Sequence, residues 1–256
     1  MIRSTRKVSW IKAAWKDFSK FPQNSQERAG AALTMIGEGA TPDIAKPLPG
    51  LGSGIWELAI KSRGDAFRVV YALQMGEDIW VIHAFQKKST KGVATPKREI
   101  DLVKERIKRL REQISMSTRK PAKIATVRGS GNVFRDLGRA DAEVLQLKAL
   151  LAAEIVRALD EQGLTVRKAQ SHTGIAAADF SRIRNADLKR FTVDRLMTVA
   201  KRLGRDLNVA VTVRARHPVR PKGIDVESLR RLTASSPRQL VSAGEFIRKM
   251  RDEDRY

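Results

Sequence analysis

The sequence predicts an α+β domain followed by an all-α domain that ends in a short strand. Two segments with helical spacing of apolar residues come first, and three strand-like segments separated by turn signals follow them. After a stretch without acidic residues, helical patterns return and continue to about residue 203. The 256 residues, 42% of them apolar, are enough for two packed cores.

The α+β domain is predicted over residues 1–113. Its helices are predicted at residues 10–21, 26–36 and 96–113, and its strands at residues 55–60, 66–73 and 78–85. Pro22 interrupts the first helical pattern, which favours a stop and a restart of the helix. The three strands follow one another with short turns, so we expect an antiparallel meander.

Residues 114–130 lack acidic residues and are typical of a linker. Met116 in this segment is either an ordinary internal methionine or the start of a second reading frame fused to the first. The second domain is predicted over residues 131–213, with helices at 141–161, 177–184 and 192–203, a further helix within 164–175, and a strand at 206–213. Residues 214–256 form an appendage of unknown role, with two short amphipathic helical patterns.

Residues 164–184 have the pattern of a helix-turn-helix. Thr165 is the predicted N-cap of the first helix, Ala169 is the small residue where the two helices approach, and Gly174 makes the turn. Residues 177–184 are then the recognition helix, the element that enters the major groove of DNA in this motif.

The amino-acid composition indicates which kind of partner the protein binds and which kinds of chemistry it is not expected to use. Lys and Arg outnumber Asp and Glu by 50 to 28, a net charge of +22, which favours nucleic acid or another polyanion over a merely soluble basic surface. There is no cysteine, and the three histidines are scattered, so we expect no disulfide, no metal and no cofactor. No signal peptide or long apolar run is present, and we expect a cytoplasmic protein that does not enter a membrane.

Two parts of the chain carry a family resemblance. The apolar run at residues 81–85 ends in a cluster of lysines that suits a phosphate, and the segments 45–52 and 67–71 precede it at a characteristic spacing. Residues 1–113 thereby resemble the HigB-like branch of the RelE/ParE toxins, which implies a compact RelE-like sheet with helices on one face. Residues 129–214 resemble the HigA-like antitoxins of the XRE family.

The toxin resemblance implies a set of catalytic residues for metal-free RNA cleavage, in which cations stabilise the charged phosphate of the transition state. These residues are Lys46, Arg68, Lys87 and Lys88, with His83 as a proton-transfer group. Each has a structural alternative. Arg68 interrupts an apolar strand and either faces an anion or forms a salt bridge to Glu57 on the neighbouring strand. His83 is alternatively a hydrogen-bonded core histidine, and the lysines a solvated pair.

The second domain supplies candidates for contact with operator DNA. Ser181 and Arg182 on the recognition helix are the candidates for base contact. The candidates for phosphate contact are Thr165, Arg167, Lys168, Arg184 and Lys189. A solvated helix face is the alternative for each residue. The chain also departs from the antitoxin pattern, because Val166 follows the cap and Asn185-Ala186-Asp187 stands where a glycine is common.

Together these patterns predict a toxin fused to its antitoxin. The first domain is expected to cleave mRNA on the ribosome, and the second to bind operator DNA as a homodimer and to contact the toxin within the chain or between chains. We expect that contact to bury the charged cleft or to displace Lys87 and Lys88. Two alternatives remain open: a transcription regulator with an inactive toxin-like module, and a ParE-like inhibitor of gyrase.

Overall fold

The protein is described here by a computed structural model. It describes residues 6–62, 64–73, 75–87, 96–115, 124–208, 210, 230, 234 and 242–253. Met1–Asn208 form one compact unit and Val209–Tyr256 a second. The first unit therefore contains the first predicted domain and the second one up to Asn208, and in the second unit the structure describes mainly one helix.

The first unit contains a mixed sheet of six strands in the order β2-β3-β4-β5-β1-β6. The strands are β1 (Val8–Ile11), β2 (Ala45–Pro47), β3 (Ile55–Ser62), β4 (Asp65–Ala72), β5 (Ile79–Lys87) and β6 (Thr126–Val127). The predicted antiparallel meander is confirmed for β3, β4 and β5. The prediction of a wholly antiparallel sheet is wrong, because β1 pairs with β5 in parallel.

The helix predicted from residue 10 begins later than expected, because Val8–Ile11 form a strand. All four residues of this strand are buried, so the segment has no alternation of apolar and polar residues that would indicate a strand. The helices of this part are α1 (Lys12–Phe18), α2 (Gln23–Gly37) and α3 (Lys97–Ser115).

Helices cover both faces of the sheet. Trp56 and Tyr71 are register partners and line a cavity together with the end of α2. Glu57, Val70 and His83, which point to the other face, form a row across three strands, and His83 contacts α3. The resemblance implied helices on one face, whereas α2 and α3 lie on opposite faces. We call these the α2 face and the α3 face.

The second half of the unit is helical, as predicted. Its helices are α4 (Val133–Asp136), α5 (Ala142–Glu161), α6 (Val166–Thr173), α7 (Ala177–Arg184) and α8 (Val193–Arg202). The central helix α5 packs against α2 on one side and α8 on the other. Of the predicted terminal strand, residues 206–208 and 210 are not in a strand, and the remaining positions lie outside the described residues.

Both ends of the segment predicted as a linker have regular structure. Helix α3 continues to Ser115, and β6 pairs with β1 at the sheet edge. Met116 and the residues up to 123 lie outside the described residues. In the second unit, α9 (Ala243–Glu253) exposes Phe246, Ile247 and Met250. No helix in the described part of the chain has the length and apolarity that a membrane span requires.

Candidate functional site: a charged sheet face and a helix-turn-helix

The α3 face gathers three of the predicted catalytic residues. Arg68 on β4 lies opposite Phe85 on β5, and His83 and Lys87 flank Phe85 two residues to either side. Side chains on such a diagonal are about 7–8 Å apart, within reach of an arginine and a lysine. Lys46 points to the same face but lies on β2, two strands away from Arg68. Lys88 lies outside the described residues.

Arg68 lies beside the carboxylate that the sequence suggested as its alternative partner. Its Nε is 3.8 Å from Oε2 of Glu57, and the two side chains are 12% and 13% exposed. At this distance the two groups form an ion pair, but the distance is too long for a hydrogen bond. Glu57 therefore offsets the charge of Arg68, whose Nη1 also donates to the Phe67 carbonyl at 3.2 Å. An incoming phosphate would compete with Glu57 for the guanidinium.

His83 is buried and held at both ring nitrogens. Arg106 Nη1 lies 2.8 Å from Nδ1, and Glu99 Oε2 lies 2.6 Å from Nε2. Arginine can only donate, so Nδ1 accepts and Nε2 carries the hydrogen that is donated to Glu99. Burial lowers the pKa of His83 and the charge of Arg106 adds to this, while the Glu99 hydrogen bond opposes it. A neutral His83 thus links β5 to α3.

The lysines of this face differ in their surroundings. Lys87 is only 8% exposed, so it is not the solvated surface lysine that its sequence context allows. Lys46 is exposed at the sheet edge. Among the described residues, no group of three or more histidine, aspartate or glutamate side chains is placed to hold a metal ion.

A groove of about 420 Å³ between the β2–β3 loop and α3 contains cations that the sequence analysis missed. It is lined by Gly50 and Leu51 on one side and, on the other, by the cations Lys104, Lys108 and Arg111 together with Glu112. The signal was present, because these three cations recur at i, i+4 and i+7 on a predicted helix. The groove adds basic charge on the side of the sheet covered by α3.

The helix-turn-helix is built as predicted. Thr165 accepts a hydrogen bond from the Lys168 amide and caps α6, and Ala169 is fully buried between the helices. Gly174 has φ +71°, a left-handed conformation that favours glycine. Gln170 was not predicted to have a role in the motif. Its Oε1 accepts a hydrogen bond from the Ala177 amide at 2.9 Å and so joins the end of α6 to the start of α7.

The predicted DNA-contacting residues fall into two groups. The exposed group consists of Thr165, Arg167, Lys168, Ser181 and Lys189. The two arginines of α7 are engaged in ion pairs instead. Arg182, 37% exposed, pairs with Asp179 at 3.0 Å, and Asp179 also binds Arg195 of α8. Arg184 is 17% exposed and contacts Asp43 and Asp160, so its guanidinium is directed into the protein.

The second domain packs on the α2 face of the sheet. Phe134 lies against Gly30 so closely that a Cβ on residue 30 would be 2.9 Å from its Cε1. Thr34 hydrogen bonds Gln146, and Glu27 pairs with Arg139 at 2.7 Å. We expected this domain to bury the charged cleft, but its described helical part, residues 133–208, contacts α2 instead. A contact through Lys88 lies outside the described residues.

Comparison with known protein families finds one match in each half of the chain. Residues 16–108 match the family described as phage derived protein Gp49-like, and residues 133–212 match a helix-turn-helix domain family. The chain therefore joins a Gp49-like domain of the RelE/HigB-like toxin family to a helix-turn-helix domain. No curated protein and no solved structure matches the chain.

Proposed function

We propose that this chain is a toxin–antitoxin fusion that acts on two nucleic acids, because it joins a Gp49-like domain to a helix-turn-helix domain. The first domain cleaves mRNA at the ribosome without a metal, and the second represses its own promoter. The observation that carries the proposal is that the two candidate nucleic-acid sites lie apart in the structure. Arg68 and Lys87 lie on the α3 face, whereas the helix-turn-helix is attached through the α2 face.

In the proposed ribonuclease, Arg68 and Lys87 stabilise the charge that develops on the phosphate as the 2′-hydroxyl attacks. The groove beside Lys104 and Lys108 holds the neighbouring phosphates of the strand. Proton transfer by His83 would require it to leave Arg106 or Glu99. We therefore assign His83 the positioning of α3 in place of a direct role in proton transfer.

We propose that the block on the nuclease resides on the α3 face itself. Glu57 is 3.8 Å from Arg68 and competes with the substrate phosphate for the guanidinium. The second domain does not need to cover the face for this block to operate. Neutralising Glu57 should then raise the affinity of the site for a polyanion.

The second domain is proposed to bind an inverted repeat upstream of its coding sequence as a homodimer. One recognition helix contacts too few base pairs for operator-level specificity, so two copies are required. Ser181 is exposed on α7, and Arg182 is oriented by Asp179. The exposed Thr165, Arg167 and Lys168 are placed at the start of α6, where backbone amides and cations suit a phosphate.

A second candidate function is a transcription regulator whose toxin-like module is inactive. The observations that favour it are the Arg68–Glu57 pair and the engagement of both nitrogens of His83. Both groups are then structural, as their alternatives in the sequence suggested.

The deciding experiment incubates the purified full chain with mRNA bound to ribosomes and, separately, with free single-stranded RNA in the presence of EDTA. A ribonuclease yields fragments with 2′,3′-cyclic phosphate ends, Arg68→Ala removes this activity, and Glu57→Gln raises it. Arg109→Ala is the matched control, because Arg109 is a half-exposed cation on α3 that pairs with Glu105 of the same helix. Absence of cleavage by both the wild type and Glu57→Gln, with DNA binding intact, would favour the regulator. Intact RNA with impaired gyrase supercoiling would favour the third alternative.

A further inference from the structure

The recognition helix α7 ends against the first domain. The amide of Asp43 donates to the Arg184 carbonyl at 2.8 Å, and Nε of Arg28 donates to the Asn185 carbonyl at 2.9 Å. The last carbonyls of a helix have no donor within the helix and need partners from elsewhere. Here two of the donors come from the Gp49-like domain.

Arg28 connects three elements at this point. It lies on α2, donates to Asn185 after α7, and reaches the Lys61 carbonyl of β3 at 3.4 Å. A cation at a helix C-terminus is stabilised by the helix dipole. Burial lowers the pKa of Arg28, and the charge of Asp187 opposes that shift. Arg28 is thus a partly desolvated cation whose partners lie on both domains.

The turn after α7 is held in an unfavourable conformation. Ala186 has φ +54° and is 1% exposed, and the left-handed conformation is unfavourable for a non-glycine residue. Its neighbour Asp187 donates to the Arg182 carbonyl at 2.9 Å. Ala186 lines a small interdomain cavity together with Arg28 and Ala31, so the strained turn is packed against α2.

The side chain of Arg184 also holds the C-terminal end of α7 in place. Its guanidinium contacts Asp43 of the first domain at 3.4 Å and also Asp160 at the end of α5. The carbonyl of Arg184 and its side chain are therefore both tied to Asp43. A shift of α7 relative to the first domain would break both contacts with Asp43 together.

We infer that the Gp49-like domain positions the recognition helix for DNA reading, with Arg28 and Asp43 as positioning residues. This rests on the proposed DNA-binding function and adds a dependence of sequence recognition on the first domain. Because coupling between two equilibria is reciprocal, operator binding also favours the docked arrangement of α2 and α7.

The test uses the full chain and a DNA fragment that the wild type selects from a random-sequence library. Affinity for this fragment is compared with affinity for a scrambled fragment of the same length. Arg28→Met should weaken binding to the selected fragment by about tenfold, the size of one lost base contact. Binding to scrambled DNA, which depends on phosphate contacts, should change by less than about threefold. Arg28→Lys, which keeps the cation, should recover part of the loss.

Arg139→Met is the matched control. It removes a different ion pair between the domains, the one with Glu27, and does not touch α7. Equal affinities for Arg28→Met and the wild type would overturn the inference. Equal losses of affinity for Arg28→Met and Arg139→Met would also overturn it, and so would equal losses on selected and scrambled DNA. Either result would indicate a general loosening of the contact between the two domains.

Asp43→Asn keeps the test decisive if Arg28→Met does not fold. Asp43 is exposed and its charge faces Arg184, so the variant should fold and weaken selective binding by about two- to threefold. Unchanged selectivity in both Asp43→Asn and Arg28→Lys would overturn the inference. A wild-type chain that selects no sequence would instead remove the DNA-binding proposal, and this inference with it.

Discussion

The two faces of the sheet have opposite characters. The α2 face is apolar, and α2 itself lies between the sheet and α5, with Ala29, Ala32 and Leu33 fully buried. The α3 face carries Glu57, Arg68, His83 and Lys87, which are held by ion pairs, hydrogen bonds or burial. One face is the attachment site of a second domain, and the other carries the groups to which we assign the proposed RNA cleavage. Changes on the first should therefore alter stability, and changes on the second should alter activity.

The largest expected effect is on the α2 face. Phe134→Ala removes a fully buried ring that packs against Gly30 and should lower the free energy of unfolding by about 3–5 kcal/mol. Urea unfolding of the full chain measures this. Leu102→Ala, at a site 38% exposed on α3, is the control and should change stability by less than about 0.5 kcal/mol. A loss for Phe134→Ala no larger than that of the control would contradict an interdomain core.

Arg68→Ala tests the α3 face. Loss of its charge stabilisation should reduce RNA cleavage by about 10²-fold or more, with little change in the unfolding midpoint. Single-turnover cleavage with excess enzyme measures the rate. If Arg68→Ala lowers stability strongly while a measurable cleavage rate stays unchanged, the guanidinium is a structural partner of Glu57, and the contrast between the two faces fails.

On the DNA-reading side, Arg182→Ala should weaken binding to the selected operator by roughly 1–3 kcal/mol and relax specificity at one base position. Lys168→Ala, which alters an exposed cation at the start of α6, should weaken binding to all sequences and reduce the salt dependence by about one ion. Competition assays at two salt concentrations separate these outcomes. If Arg182→Ala weakened binding to all sequences equally, the role of Arg182 would be limited to its pairing with Asp179 and to the packing of α7.

The helix-turn-helix was readable from the sequence because its signals are local. Thr165 and Gly174 mark the ends of α6 within the segment itself, and the predicted recognition helix matches Ala177–Arg184. Strand β1 was not predicted because its four residues are all buried and show no alternation of apolar and polar positions. Strand β6 was not predicted because two residues are too few to show a pattern. The ion pair between Arg68 and Glu57 could be predicted because the two residues lie on strands that are neighbours in sequence. The contact of Arg28 with Asn185 joins positions 157 residues apart, and no local pattern announces it.

The smallest expected effect concerns pH. Burial lowers the pKa of His83 below its usual 6.5, with Arg106 acting in the same direction, while Glu99 and the more distant Asp17 oppose it. The unfolded chain then binds this proton more readily than the folded chain, so stability is lost as the pH falls below about 6.5. One proton limits the slope to about 1.4 kcal/mol per pH unit. We expect the free energy of unfolding to decrease between pH 7.5 and 5.5, and His83→Gln, which keeps a donor and an acceptor but does not titrate, to decrease less. Parallel pH profiles for the two proteins would show that the link between β5 and α3 does not depend on a neutral imidazole.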